Sequence, residues 1–152
     1  MHWRSVLLCC ALLLAFATAQ ANDRPQSGMV VAAHPLATEA GVEMLEAGGT
    51  AMDAAIAIQA VLTLVEPQSS GIGGGAFLLH YENASASVQA YDGRETAPAA
   101  IDADHFLTDA GTPMDFLDAV PGGQAVGVPG ALRMLELAHQ AHGELPWKTL
   151  FQ

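Results

Sequence analysis

The stretch from Ala54 to Val65 is apolar on nearly every side of a helical wheel. A helix of that kind has no polar face to turn to water and must be buried among other elements. Its many alanines allow neighbours to approach closely. The stretch therefore demands a sizeable core. Its start is marked by Thr50 as N-cap, with Asp53 at the acidic first-turn position. Its end is marked by Glu66 and Pro67.

The surrounding pattern mixes helix and strand. Residues 29–33 form a short apolar run that predicts a strand, closed by His34-Pro35 because proline restricts its predecessor to extended geometry. A helix is expected from Leu36 or Ala37 to Ala47. Its apolar side is Ala37, Gly41, Met44 and Leu45, its other side carries Glu39, Glu43 and Glu46, and Gly48-Gly49 is its stop. After Gly71–Gly75, residues 76–81 and 87–92 read as a hairpin. Residues 101–119 read as a mixed surface segment anchored by Phe106, Met114, Phe116 and Leu117. A strand over 125–128 and a helix from Pro129-Gly130 to His142, ended by Gly143, complete the reading. The run Leu145–Gln152 resembles the opening of another packed element, so the chain is expected to be the front part of a longer protein.

The amino end has the pattern of an export signal: Arg4, an apolar run from Val6 to Phe16, then small residues. The run is shorter than the roughly 20 residues a membrane span needs. Cleavage fits after Ala19 or after Ala21. Cys9 and Cys10 lie within the apolar run and leave with it, so no disulfide or thiolate chemistry is expected of the mature chain. The chain has 16 acidic against 5 basic residues, a formal charge of −11. No Lys/Arg cluster offers a phosphate-binding surface, which argues against a nucleic-acid partner. Asn83-Ala84-Ser85 is a formal glycosylation triplet of a kind common by chance.

Few residues suggest chemistry. The run Gly71-Ile72-Gly73-Gly74-Gly75 lies between helix and strand, the reverse of a dinucleotide fingerprint, and no lysine follows as in a P-loop. It reads as a tight turn and close packing. Arg94 stands out because arginine is rare here. It is either an ion-pair partner of Asp92 or Glu95, or a clamp for a substrate carboxylate. Asp53 reads as helix capping and His34 as local structure. His139 and His142 are spaced i,i+3 without a third ligand, so no metal and no cofactor are expected. Ser69-Ser70 lacks a nucleophile elbow and a base.

Several blocks taken in order resemble the gamma-glutamyltransferase (glutathione hydrolase) family. They are His34-Pro35-Leu36-Ala37 with Gly41, Leu45 and Gly48-Gly49; Ala51-Met52-Asp53-Ala54-Ala55, with Thr50 where the family commonly has Asn; Glu66-Pro67 with Ser70–Gly75; Asp92-Gly93-Arg94-Glu95-Thr96-Ala97-Pro98; Val128-Pro129-Gly130; and His142-Gly143 with Leu145-Pro146-Trp147. The resemblance covers residues 28–152. It implies an α+β fold, the αββα four-layer sandwich of N-terminal nucleophile hydrolases, of which only the N-terminal portion is expected here. The implied division is a cleavable signal peptide over 1–19, a flexible linker over 20–28 and the N-terminal part of the large subunit over 29–152. It implies a precursor that cuts itself, and a small subunit whose new N-terminal Thr attacks gamma-glutamyl amides. The implied substrates are glutathione and related compounds, with water, amino acids or peptides as acceptors. Arg94 is implied to bind the α-carboxylate of the gamma-glutamyl group. That Thr is not among these residues, so no catalytic residue is expected in the chain and the chain alone is expected to be inactive. A secreted or periplasmic location follows from the signal. A related acylase for glutaryl or other side chains, or an inactive fragment, are the alternatives.

Overall fold

The computed structural model describes residues 28–152. The expected signal peptide (1–19), and the expected linker apart from Gly28, lie outside the described residues.

Helix α1 spans Pro35–Glu46. Pro35 takes the first helical position, where its missing N–H costs nothing. His34 is extended, and its Nδ1 accepts the Leu36 N–H at 3.2 Å, the local role read from sequence. Gly48 closes the helix with φ +88°, a conformation suited to glycine. Helix α2 spans Ala51–Val65 and starts with the expected cap. Thr50 N–H donates to Asp53 Oδ2 at 2.7 Å, and Asp53 N–H donates to Thr50 Oγ1 at 3.3 Å. The two helices pack through Gly41, where an added Cβ would lie 2.7 Å from Ile58 Cδ1 and 2.8 Å from Val30 Cγ1.

Strands β1 (Phe77–Glu82) and β2 (Ser87–Asp92) form an antiparallel hairpin with Leu79 opposite Ala90 and Tyr81 opposite Val88. The period-2 alternation divides its faces. Leu78 and Tyr91 face the core, while Phe77, Leu79, Tyr81 and Val88 are exposed. A short helix α3 (Phe116–Ala119) is capped by Asp115, and a 3-10 turn follows at Gly123–Ala125. Helix α4 (Ala131–His142) buries Ala131, Met134, Leu135 and Ala138, one stripe at helical spacing, and leaves Leu132 and Leu137 partly outside. A 3-10 segment, Trp147–Phe151, sets Leu150 into the core. That core is Met52, Ile56, Met134, Leu135, Ala138 and Leu150, where α2, α4 and the last segment meet.

Four expectations are corrected. Residues 29–33 form no strand; Val30 is turned toward α1 and α2 and Met29 and Val31 outward, and no strand among the described residues pairs with them. An apolar run without a partner does not make a ladder. The strand expected over 125–128 is reduced to one bridge, Thr96 to Val128, because the chain first closes a 3-10 turn with Val126 N–H on Gly123 O. Phe116 and Leu117 do not anchor their segment; they stand 73% and 74% exposed on α3. Helix α2 is buried over its first half only, with Met52, Ala54, Ile56 and Ala57 inside and Leu64 81% exposed among the described residues.

Candidate functional site

The hairpin ends where the most distinctive residues begin. Ala76 and Gly93 exchange backbone hydrogen bonds (3.2 and 2.9 Å), which extends the ladder by one pair. Gly93 then passes directly over α4. A Cβ there would lie 2.7 Å from Met134 Cβ, and one at Gly130 would lie 2.7 Å from the Gly93 carbonyl carbon. Two glycines facing each other thus allow the loop and the start of α4 to touch backbone to backbone. Gly130 and Ala131 N–H both donate to Gly74 O (3.2 and 3.1 Å). Thr96 and Val128 exchange two further bonds (3.3 and 2.8 Å). Residues 93–96 are held on three sides: by the glycine run, by residues 126–128 and by the first turn of α4.

Arg94 projects from this fixed loop. Both neighbours named from sequence are engaged, in different ways. Asp92 Oδ1 accepts the Arg94 backbone N–H at 2.9 Å, an Asx-type turn that shapes the chain. Glu95 Oε2 lies 3.3 Å from Arg94 Nη1 and forms the ion pair. The Arg94 side chain remains 69% exposed. A planar group with five donors keeps further edges free after one such contact. It borders an open cavity of about 280 Å³, lined also by Thr96, Ile101, Phe106, Gln124 and Val126. A cation at the rim of a part-polar cleft can receive a carboxylate bidentately.

Asp53 caps α2, as its position predicted, and does more. Its side chain is fully buried, and Oδ2 also accepts the N–H groups of Glu144 (3.0 Å) and Leu145 (3.4 Å). Thr50 Oγ1 donates to His142 O at 2.8 Å. His139 Nε2 donates to Leu145 O at 2.9 Å and stands 3.3 Å from Asp53 Oδ1. Burial alone would raise the Asp53 pKa. The N–H groups of Thr50, Glu144 and Leu145 and the Thr50 hydroxyl reverse this and hold it below the ordinary carboxylate value. These links, some ninety residues apart in sequence, were not visible from the local pattern.

His139 and His142 diverge from each other. The ring of His142 stacks on that of His80 from β1, with centroids 3.9 Å apart. Its Nε2 lies 2.7 Å from Tyr91 Oη and 3.0 Å from Gln89 Oε1. Burial lowers the His142 pKa, the neighbouring His80 lowers it further, and Glu82 opposes both. The unfolded chain therefore takes up this proton first as the pH falls below the ordinary value of 6.5. The stabilising contribution is whole above that value and is lost as the pH drops through the lower, folded one. The thermal midpoint of the protein should decline between about pH 7 and pH 5, and His142→Gln should flatten the decline, as followed by circular dichroism. Ser69 donates from Oγ to Glu66 O at the end of α2. Among the described residues no cluster of three or more His, Cys, Asp or Glu converges on a metal position.

Comparison with known proteins agrees with this architecture. The family model described as gamma-glutamyltranspeptidase matches residues 37–152. The glutathione hydrolase proenzyme of Bacillus subtilis (strain 168) is 45% identical over 128 residues, which cover 84% of this chain and 22% of that protein. The gamma-glutamyltranspeptidase of Helicobacter pylori superposes with a TM-score of 0.75 at 35% identity, over 82% of this chain and 35% of that one. A cephalosporin acylase from Bacillus halodurans superposes with a TM-score of 0.60 at 31% identity, over 84% of this chain and 24% of that one. The chain carries part of an N-terminal nucleophile hydrolase fold, of the α+β, αββα sandwich type. It belongs to the gamma-glutamyltranspeptidase family. It spans about a fifth of the length of the curated relatives it matches.

Proposed function

We propose that these residues are the N-terminal part of the large subunit of an exported enzyme that hydrolyses glutathione and related gamma-glutamyl amides or transfers their gamma-glutamyl group. The observation that carries this reading is Arg94, held by a loop fixed on three sides, with its side chain largely exposed at the rim of a cavity. Its role is to take the α-carboxylate of the gamma-glutamyl group. The nucleophile is a Thr outside the 152 residues, freed when the precursor cuts itself, and the small subunit so formed is the partner. The Thr hydroxyl attacks the gamma-carbonyl, its proton passes to the leaving amine through the Thr amino group, and the acyl group goes on to water or an acceptor amine. The chain alone is inactive on this reading. The exposed apolar face of the hairpin (Phe77, Leu79, Tyr81) is what one sheet of a four-layer sandwich presents to the next. Export rests on the charged, apolar and small-residue pattern of residues 1–19.

The likeness to the cephalosporin acylase favours a second reading. A glutaryl group ends in a carboxylate as a gamma-glutamyl group does and lacks only the α-amino group, so Arg94 suits either. The full-length protein, purified after self-cleavage, decides between them. Release of glutamate from glutathione supports the first reading. Cleavage of a glutaryl amide with no turnover of gamma-glutamyl amides overturns it in favour of the second.

A further inference from the structure

The glycine run has a task that neither the turn nor the family reading assigns. Its last residues form a wall around Glu95. A Cβ at Gly75 would lie 2.9 Å from both Glu95 Cδ and Glu95 N, and closer still to Oε2. A Cβ at Gly74 would lie 3.4 Å from Oε1, and one at Gly127, across the loop, 3.0 Å from Glu95 Cβ. The backbone of Gly75 is not left-handed, so only space forbids a side chain there. At Gly71 and Gly73, by contrast, no atom among the described residues comes within 4 Å of such a Cβ. The run is thus tight only where it meets Glu95.

Glu95 Oε2 is buried and accepts no hydrogen bond, and the cation facing it is the Arg94 guanidinium at 3.3 Å. A carboxylate oxygen withdrawn from water strongly favours keeping a cation beside it. The walls prevent the carboxylate from turning away, and the guanidinium is drawn to one position. An arginine side chain has many rotamers, and ordering it in advance removes a cost that substrate binding would otherwise bear.

We propose that Glu95 is a positioning residue for the Arg94 clamp and that Gly75, with Gly74 and Gly127, fixes Glu95 in that role. The inference rests on the assignment of Arg94 as the carboxylate-binding residue and extends it to the residues that aim it.

The test uses the full-length, self-cleaved enzyme and two donors: a gamma-glutamyl anilide and the same anilide with its α-carboxylate converted to a carboxamide. Glu95→Gln and Gly75→Ala should each raise KM for the carboxylate donor about tenfold, with kcat changed less than about twofold. Both should leave the carboxamide donor nearly unaffected, since it offers no anion to the clamp. A purely structural role would impair both donors alike. Gly75→Ala should cost less when added to Glu95→Ala than it does alone, because the Glu95 carboxylate atoms it would displace are gone and only the Glu95 backbone N remains close. If Gly75→Ala blocks self-cleavage, the isosteric Glu95→Gln still decides. Additive effects, or equal losses on both donors, overturn the role of Glu95 while Arg94→Ala still raises KM. No change in Arg94→Ala itself would overturn the clamp instead.

Discussion

Replacing Arg94 by alanine in the full-length protein should raise KM for a gamma-glutamyl donor by about 100-fold and change kcat far less. Removing one partner of a charge-assisted pair costs about 2–4 kcal/mol, and about 1.4 kcal/mol is a factor of ten. The loss falls on KM because the α-carboxylate lies away from the scissile amide and is held equally before and during the reaction. Self-cleavage should proceed normally. The Arg94 side chain is 69% exposed, its ion pair is with its own neighbour, and the loop is held by backbone bonds that do not involve the guanidinium. Arg94→Lys should recover only part of the affinity, since an ammonium keeps the charge but lacks the planar fork. Steady-state kinetics on a gamma-glutamyl anilide, with the extent of processing read on a gel, checks both halves. An unaltered KM would remove Arg94 from the site.

What could be read before the structure was whatever nearby residues decide. The Thr50–Asp53 cap, the Gly48 stop and the second strand of the hairpin, Ser87–Asp92, each follow from a few adjacent side chains, and each stands where the pattern put it. Arg94 was legible as a candidate because its composition context is unusual; of the two neighbouring carboxylates read as ion-pair partners, Glu95 takes that role and Asp92 instead accepts the backbone N–H. What failed depended on distant partners. Residues 29–33 form an apolar run like a strand, yet a strand is a relation between two segments, and no second one pairs with them among the described residues. Phe116 and Leu117 are apolar, but exposure is set by what lies above them. The wall around Glu95 joins Gly75, Glu95 and Gly127, and no periodicity records such a meeting. The motif as a string holds its glycines and its Arg-Glu pair apart; the fold sets them in contact.

The same distinction governs Asp53, where the largest loss of stability is expected. As a helix cap alone, its replacement would cost about 1 kcal/mol. In the structure its fully buried carboxylate also receives the Glu144 and Leu145 N–H groups, and so ties the start of α2 to the turn after α4. Asp53→Ala leaves the Thr50, Glu144 and Leu145 donors without their acceptor in a site closed to water, and about 3–5 kcal/mol is expected for breaking such a buried charged network. A loss of that size is a large part of the stability of an ordinary domain. The full-length precursor should then accumulate poorly and self-cleave little, a phenotype opposite to that of Arg94→Ala. Acid supplies a second measure. The folded Asp53 carboxyl is held below its ordinary value of 3.8, so the unfolded chain takes up the proton first. The stabilisation is complete above about pH 4 and disappears as the pH falls through the folded value. Asp53→Asn keeps the shape, removes this titration and converts one oxygen acceptor into a donor facing other donors if the amide turns the wrong way. Denaturant midpoints measured from pH 7 down to pH 3 should therefore show wild type and Asp53→Asn converging in acid. Parallel curves would mean that the carboxylate charge contributes nothing to holding α2 against the end of α4.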